Sequence, residues 1–163
     1  MTGHRETVRL LFGDVSVGDV LPELSHRVTA TTVVLGALAS RDWRPMHHDR
    51  DFAIHRNGTK DIFLNTPNQA AWFERYVTDW TGPSGRLGRM IFRMNTSVFP
   101  NDTMRFTATV ADCSVDEVGC GWVDLNVDLM VDDVTATTCA TRVALPVDKN
   151  DNPWARRGDA WRP

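Results

Sequence analysis

Residues 39–53 hold an unusual density of side chains that can exchange protons. Within this segment, Pro45 lies between Asp42 and His47 and prevents a helix from running through it. The two side chains therefore sit five residues apart on one constrained turn. A carboxylate and an imidazole that share one water can take a proton from that water and deliver one to carbon. The spacing therefore predicts an acid–base pair made of Asp42 and His47.

Other interpretations of the same segment stay open on the residues alone. Loops rich in Asp and His are often no more than solvated surface. His47 and Asp49 have the local spacing of a non-haem iron site, but no motif supplies the second histidine of such a site. The adjacent His47 and His48 could bind zinc, although no cysteine cluster or H-E-x-x-H helix accompanies them. We therefore expect no metal here.

A long helix is predicted shortly after this segment. Its apolar residues follow helical spacing at Ala70, Phe73, Val77 and Trp80. Thr66 is a plausible N-cap, with Pro67 at the first helical position and Gln69 three residues on, which is a capping-box pattern. The helix should run over 67–80 and stop at Thr81-Gly82-Pro83.

The second half of the chain alternates between apolar and polar residues, which is typical of strands with one buried face. The alternating runs are 90–98, 104–110, 123–131 and 137–145. Short turn-like breaks separate them, so we expect a meander of four long strands. In the first half, Val28 to Thr32 is β-branched and reads as a strand, and a short helix is expected near 34–40.

These elements predict an α+β domain in which a curled antiparallel sheet wraps around one long helix. The domain should cover residues 1–147, and residues 148–163, with Trp154 and Trp161, should form an extended C-terminal tail. A sheet of five or six strands leaves a free edge, and pairing with a second subunit would cover it.

Composition excludes several classes of protein. The chain has 163 residues and a formal net charge of −3, which does not favour nucleic-acid binding. No apolar stretch reaches the ~18–20 residues of a membrane span, and residues 1–11 lack the apolar run of a signal peptide. The three cysteines form no C-x-x-C pair, so we expect reduced thiols in a cytoplasmic protein.

The segment D-x-x-P-x-H-x-D at residues 42–49, followed by Phe52-Ala53, resembles the catalytic segment of the MaoC-like (R)-specific enoyl-CoA hydratases. The resemblance spans residues 15–147 and implies a single hotdog domain that adds water to a trans-2-enoyl-CoA thioester, or removes it. Asp42 and His47 match the catalytic positions of that family. This chemistry implies no cofactor besides the coenzyme A of the substrate.

The resemblance also implies a place for the thioester carbonyl at the start of the long helix, near Asn65 and Thr66. Two positions depart from the family pattern: its Asn is Arg44 here, and its His-Gly before the helix is Leu64-Asn65. Coenzyme A phosphates need positive charge, for which Arg86, Arg89 and Arg93 are the candidates.

Four further blocks resemble the small subunit of actinobacterial steroid side-chain enoyl-CoA hydratases: 39–42, 47–51, 60–65 and 75–84. Members of that branch work as heteromers, so the resemblance implies a homodimer or a heteromer with a second MaoC-like chain. Two alternatives stay open. The chain could be a non-catalytic structural subunit, or a hotdog thioesterase whose helix carboxylate is Glu74 or Asp79.

Overall fold

The structure is a computed structural model that describes residues 9–163. Three helices precede most of the sheet, and two 3₁₀ turns follow it at 153–155 and 158–160. The elements are β1 (Leu24–Arg27), α1 (Ala30–Ala39), α2 (Arg50–His55), α3 (Thr66–Thr81), β2 (Arg86–Met94), β3 (Thr103–Val115), β4 (Gly121–Val131) and β5 (Val134–Leu145).

The five strands form one antiparallel sheet in the order β1-β3-β4-β5-β2, which is uncurled rather than curled as predicted. The predicted meander is correct for β3, β4 and β5 but wrong for β2, which pairs with β5 instead of β3. β2 ends at Met94 at one edge of the sheet. Residues 95–102 then pass β5 and β4 to reach β3, which lies next to the other edge. Eight extended residues can span about 26 Å, whereas β3 lies three strand spacings, or about 14 Å, from β2. The connection is therefore long enough to be a crossover rather than a turn.

The core lies between the sheet and α3. Phe73 is fully buried, and its ring meets the rings of Phe92 and Phe106 edge-to-face at 5.3 and 5.1 Å. These contacts join α3 to β2 and to β3. The predicted alternation places most of the correct residues inside, since Phe106, Leu125 and most other apolar members of the runs belong to the core, whereas Met94 is exposed. The hotdog arrangement and the α+β class are confirmed.

The predicted strand over Val28 to Thr32 is wrong. Thr29 caps α1, because its hydroxyl accepts from the backbone of Thr32 at 3.0 Å, and the short strand β1 lies just before it. The β-branched residues therefore form the entry and first turn of a helix, where a capping bond outweighs their preference for strands.

α1 packs against the beginning of α3 at very short range. A Cβ at Gly36 would lie 1.8 Å from Nδ2 of Asn68, so only glycine allows this approach. Nδ2 of Asn68 donates to the carbonyl of Thr32 at 3.0 Å, which ties the two helices together. The end of α1 is thereby held beside the start of α3.

The C-terminal segment contacts the sheet of its own chain. Trp154 Nε1 donates to the carbonyl of Gly85 at 3.0 Å, and Trp161 packs on Trp122 with ring centroids 4.9 Å apart. Arg86 donates to the carbonyls of Pro153 and Arg156. The two tryptophans singled out in the sequence thus anchor the C-terminal segment to the domain.

Over residues 9–163, no helix is long and apolar enough to cross a membrane.

Candidate active site

The loop after α1 is folded back on the helix. Arg41 adopts a φ of 54°, a left-handed conformation that reverses the chain, and the backbone N–H of Asp42 donates to the carbonyl of Ala37 at 2.9 Å. Pro45 then opens a 3₁₀ turn that ends at His47. The predicted constrained turn is therefore present, and it brings Asp42 and His47 together.

The imidazole of His47 is buried and has a defined tautomer. Its Nδ1 lies 2.8 Å from the carbonyl oxygen of Phe63, which can only accept, so Nδ1 carries the proton. In the neutral ring, Nε2 is then free to accept a proton. Nε2 lies 3.6 Å from Oδ2 of Asp42, too far for a direct hydrogen bond and short enough for a shared water beside both groups.

Asp42 is held as a carboxylate by its neighbours. Arg44 approaches it in a bidentate manner, with Nε 2.9 Å from Oδ1 and Nη2 2.8 Å from Oδ2. Asn65 Nδ2 donates to Oδ2 at 3.0 Å. These hydrogen bonds, with Arg44 as the main contributor, hold the pKa of Asp42 well below its usual range.

A cavity of about 270 Å³ opens beside His47. Its wall is formed by Arg44, Met46 and His47 from the loop, by residues 63–66 with Gln69 around the start of α3, and by residues 94–97 at the end of β2 and just after it. Asp42 does not line the cavity, but two of its hydrogen-bond partners, Arg44 and Asn65, do. The imidazole thus faces the cavity more directly than the carboxylate.

The start of α3 offers backbone donors to this cavity. The N-cap is Asn65 rather than the predicted Thr66: its Oδ1 accepts from the backbone N–H of Asn68 at 3.1 Å. Pro67 has no N–H, and within residues 9–163 the N–H groups of Asn65 and Thr66 have no hydrogen-bond acceptor. Unpaired N–H groups at a helix start attract a developing negative charge. Asn65 and Thr66 therefore lie together at the cavity, and their binding of the thioester carbonyl stays a prediction.

Gln69 is a polar residue of the cavity wall that the sequence pattern assigned elsewhere. The predicted capping box with Thr66 is wrong, because the side chain of Gln69 turns toward the sheet and accepts from Thr137 Oγ1 at 2.8 Å. Gln69 is only 2% exposed, and this bond orients its amide NH₂ away from Thr137. The signal available in the sequence was its spacing: Gln69 lies four residues before Phe73, so it is a polar residue on the apolar face of the helix.

Asn65 links the helix cap to the acid–base pair, which makes its two roles separable. Asn65→Ala removes the cap and should lower the free energy of unfolding by about 1 kcal/mol. Asn65→Ser keeps a capping oxygen but is too short to reach Asp42, so it should retain most of that stability and still lose activity. Urea unfolding measures the first effect and turnover the second. Equal destabilisation of both variants would contradict the capping role.

The three candidate arginines are not brought to the cavity. Arg86 lies at the opposite end of β2 from Met94, with its guanidinium 3.6 Å above the ring of Trp161, and burial lowers its pKa. Arg89 and Arg93 are exposed on the outer face of the sheet. Binding of coenzyme A by these residues stays a prediction.

The metal and thioesterase interpretations find little support in the described residues. Within residues 9–163, no group of three or more His, Cys, Asp or Glu is placed to hold a metal ion. The carboxylate of Asp49 caps α2 by accepting from Phe52 N, while His47 contacts the carbonyl of Phe63. Glu74 and Asp79 are exposed on α3 and do not line the cavity.

The fold is shared with known hydratases. The (R)-hydratase PhaJ1 from Pseudomonas aeruginosa matches with a TM-score of 0.75 over 86% of this chain and 88% of that chain, at 15% identity. No protein-family model matches the sequence. A curated relative from Mycobacterium tuberculosis is 43% identical over 94 residues, which are 58% of this chain and 72% of the relative. The chain belongs to the MaoC-like (R)-specific enoyl-CoA hydratase and dehydratase family.

That curated relative is the 3-oxo-4,17-pregnadiene-20-carboxyl-CoA hydratase beta subunit. A solved structure, the ChsH1–ChsH2 complex from Mycobacterium tuberculosis, contains a chain with 33% sequence identity and a TM-score of 0.72. The match covers 80% of this chain and 98% of that one. The resemblance to the small subunit of a steroid side-chain hydratase, stated from the sequence, is confirmed.

Proposed function

We propose that this chain is the catalytic subunit of a heteromeric enoyl-CoA hydratase that acts on the side chain of a steroid CoA thioester. The observation that carries the proposal is the Asp42–His47 pair, whose His47 lines a cavity that the start of α3 also lines. The names of the relatives support the substrate class and the second subunit. The cytoplasm stays the expected location.

The geometry supports addition of water across an activated double bond. The thioester oxygen would accept from the N–H groups of Asn65 and Thr66, with the amide of Gln69 as a further donor. A water held between Asp42 and His47 would attack the β-carbon, and the α-carbon would take a proton. The helix start would stabilise the enolate-like charge on the thioester oxygen. Hydration transfers no electrons, so the proposal includes no redox cofactor.

Cavity size supports a second subunit. A volume of about 270 Å³ holds the enoyl thioester group but is below the ~300–1,000 Å³ of pockets that enclose drug-sized ligands. A steroid nucleus and coenzyme A would therefore extend beyond this chain. A second MaoC-like chain, as in the ChsH1–ChsH2 complex, would supply the missing surface.

Turnover of enoyl thioesters tests the proposal. We expect a co-purified heteromer to remove the conjugated enoyl-thioester absorbance of a steroid enoyl-CoA, with little or no loss from this chain alone. Turnover by the chain alone would show a self-sufficient homomer. Release of free thiol would identify a thioesterase, and an active heteromer that is insensitive to Asp42→Asn would make this chain a structural subunit.

A further inference from the structure

The guanidinium of Arg44 binds both carboxylate oxygens of Asp42 and restricts the orientation of that carboxylate. Two parallel hydrogen bonds of 2.9 and 2.8 Å join the guanidinium to the two carboxylate oxygens, and the backbone N–H of Arg44 is 3.3 Å from Oδ1. Bidentate pairs of this kind fix orientation as well as charge. The pair is local, two residues apart, so it forms whenever the loop is folded.

The charged and titratable groups that face Asp42 are few. Arg44 approaches from the loop, His47 from the 3₁₀ turn, and Asn65 from α3 with a neutral amide that also donates to Ser40 Oγ at 2.8 Å. Among residues 9–163, Arg44 is thus the one permanent charge in direct contact with the carboxylate. It is the largest cause of the lowered pKa of Asp42, and burial acts in the opposite direction.

Access to the cavity separates the two members of the pair. His47, Arg44 and Asn65 line the cavity, whereas Asp42 lies behind them. The protonated Nδ1 of His47 is committed to the carbonyl of Phe63, so Nε2 is the ring atom left to act. His47 is therefore the member of the pair that is placed to exchange a proton with water or substrate in the cavity.

We propose that Arg44 is a positioning residue that holds Asp42 as an oriented carboxylate and thereby leaves Nε2 of His47 as the atom that carries the proton. This inference rests on the proposed hydratase function. It goes beyond an acid–base pair in which either residue could serve as acid or base. It also gives a role to the position at which this chain departs from the Asn of the family pattern.

The proton and the electron pairs balance within one cycle. The O–H bond of water breaks as its proton moves to Nε2, the water oxygen bonds to the β-carbon, and the electrons of the double bond move toward the thioester oxygen. Nε2 then returns the same proton to the α-carbon, and the thioester carbonyl re-forms. Asp42 stays a carboxylate throughout, orienting the water and stabilising the transient imidazolium.

The test compares wild-type heteromer with Arg44→Asn, Arg44→Lys and a control, Arg75→Gln, which removes another arginine paired with an aspartate on an exposed surface. Removing the Arg44 side chain should raise the pKa of Asp42, because that side chain is the largest cause of its lowering. We therefore expect the acid limb of kcat/KM to lie at higher pH in Arg44→Asn than in wild type. The control should keep the wild-type pH profile, and Arg44→Lys should be intermediate.

A readout without turnover separates this inference from the hydratase proposal. The side-chain carboxyl carbon of Asp42, assigned with Asp42→Asn, should titrate at a higher pH in Arg44→Asn than in wild type. That shift in an inactive protein would support the positioning role and refute the hydratase. Identical titrations of Asp42 in wild type and Arg44→Asn would overturn the inference, whatever the activity. The Arg44 side chain is 62% exposed, so its replacement leaves no core cavity.

Discussion

Replacing His47 with asparagine is expected to reduce kcat/KM for the enoyl thioester by ~10²-fold or more, because an amide has no atom basic enough to take the proton of water. The imidazole is 2% exposed, faces the cavity and is fixed through Nδ1 on the carbonyl of Phe63. The NH₂ of an asparagine amide takes nearly the position of Nδ1, so it can keep that hydrogen bond. The loss should therefore appear in turnover, with little change in thermal stability.

The adjacent His48 provides a matched control for this experiment. It is exposed and does not line the cavity beside His47, so His48→Asn should keep wild-type activity. Asp42→Asn should also lose ~10²-fold or more, since it removes the charge beside Nε2. If the two residues act as a unit, the double variant should be little worse than the poorer single variant. Full activity of either single variant would refute the proposed mechanism.

Phe73→Ala is expected to give the largest loss of stability, about 3–5 kcal/mol in the free energy of unfolding. The side chain is fully buried and is shared by α3, β2 and β3 through edge-to-face contacts with Phe92 and Phe106. Its truncation leaves a cavity at the centre of the core and removes two aromatic pairs. Chemical denaturation with urea measures the loss directly.

The control for Phe73 is an apolar side chain on the surface. Leu35 is 57% exposed on α1, so Leu35→Ala should change the free energy of unfolding by no more than about 0.5 kcal/mol. The same measurement on the isolated chain serves both variants. A loss below about 1 kcal/mol for Phe73→Ala would mean that the contact between helix and sheet contributes less than its burial implies.

Much of the fold was predictable because its signals are local. The alternation around Phe106 and Leu125 shows which face of each strand is buried, and Gly82 marks the end of the long helix. The pairing of β2 with β5 was not predictable from such signals. It depends on where residues 95–102 cross the domain, and this is set by contacts distant in sequence, such as Leu64 N with the carbonyl of Val98.

The site likewise has features that the local sequence predicts and features that depend on contacts distant in sequence. Asp42 and His47 are close in sequence, and Pro45 between them predicts their proximity correctly. The choice of Asn65 over Thr66 as N-cap could not be read from propensity, since both residue types cap helices well. Asn65 is selected because its amide also reaches Asp42 and Ser40, two partners that only the folded chain brings near.

The close approach of α1 to α3 at Gly36 makes one part of the cavity wall harder to redesign than another. Because Gly36 has no room for a side chain, a larger residue there would push α1 away from α3 and move Asp42 away from Asn65. The wall at residues 94–97 is held differently: Asn95 and Thr96 donate backbone N–H groups to the carbonyl of Ala136, and their side chains are exposed. An engineer who wishes to fit another acyl group should therefore vary this wall and leave the helices unchanged.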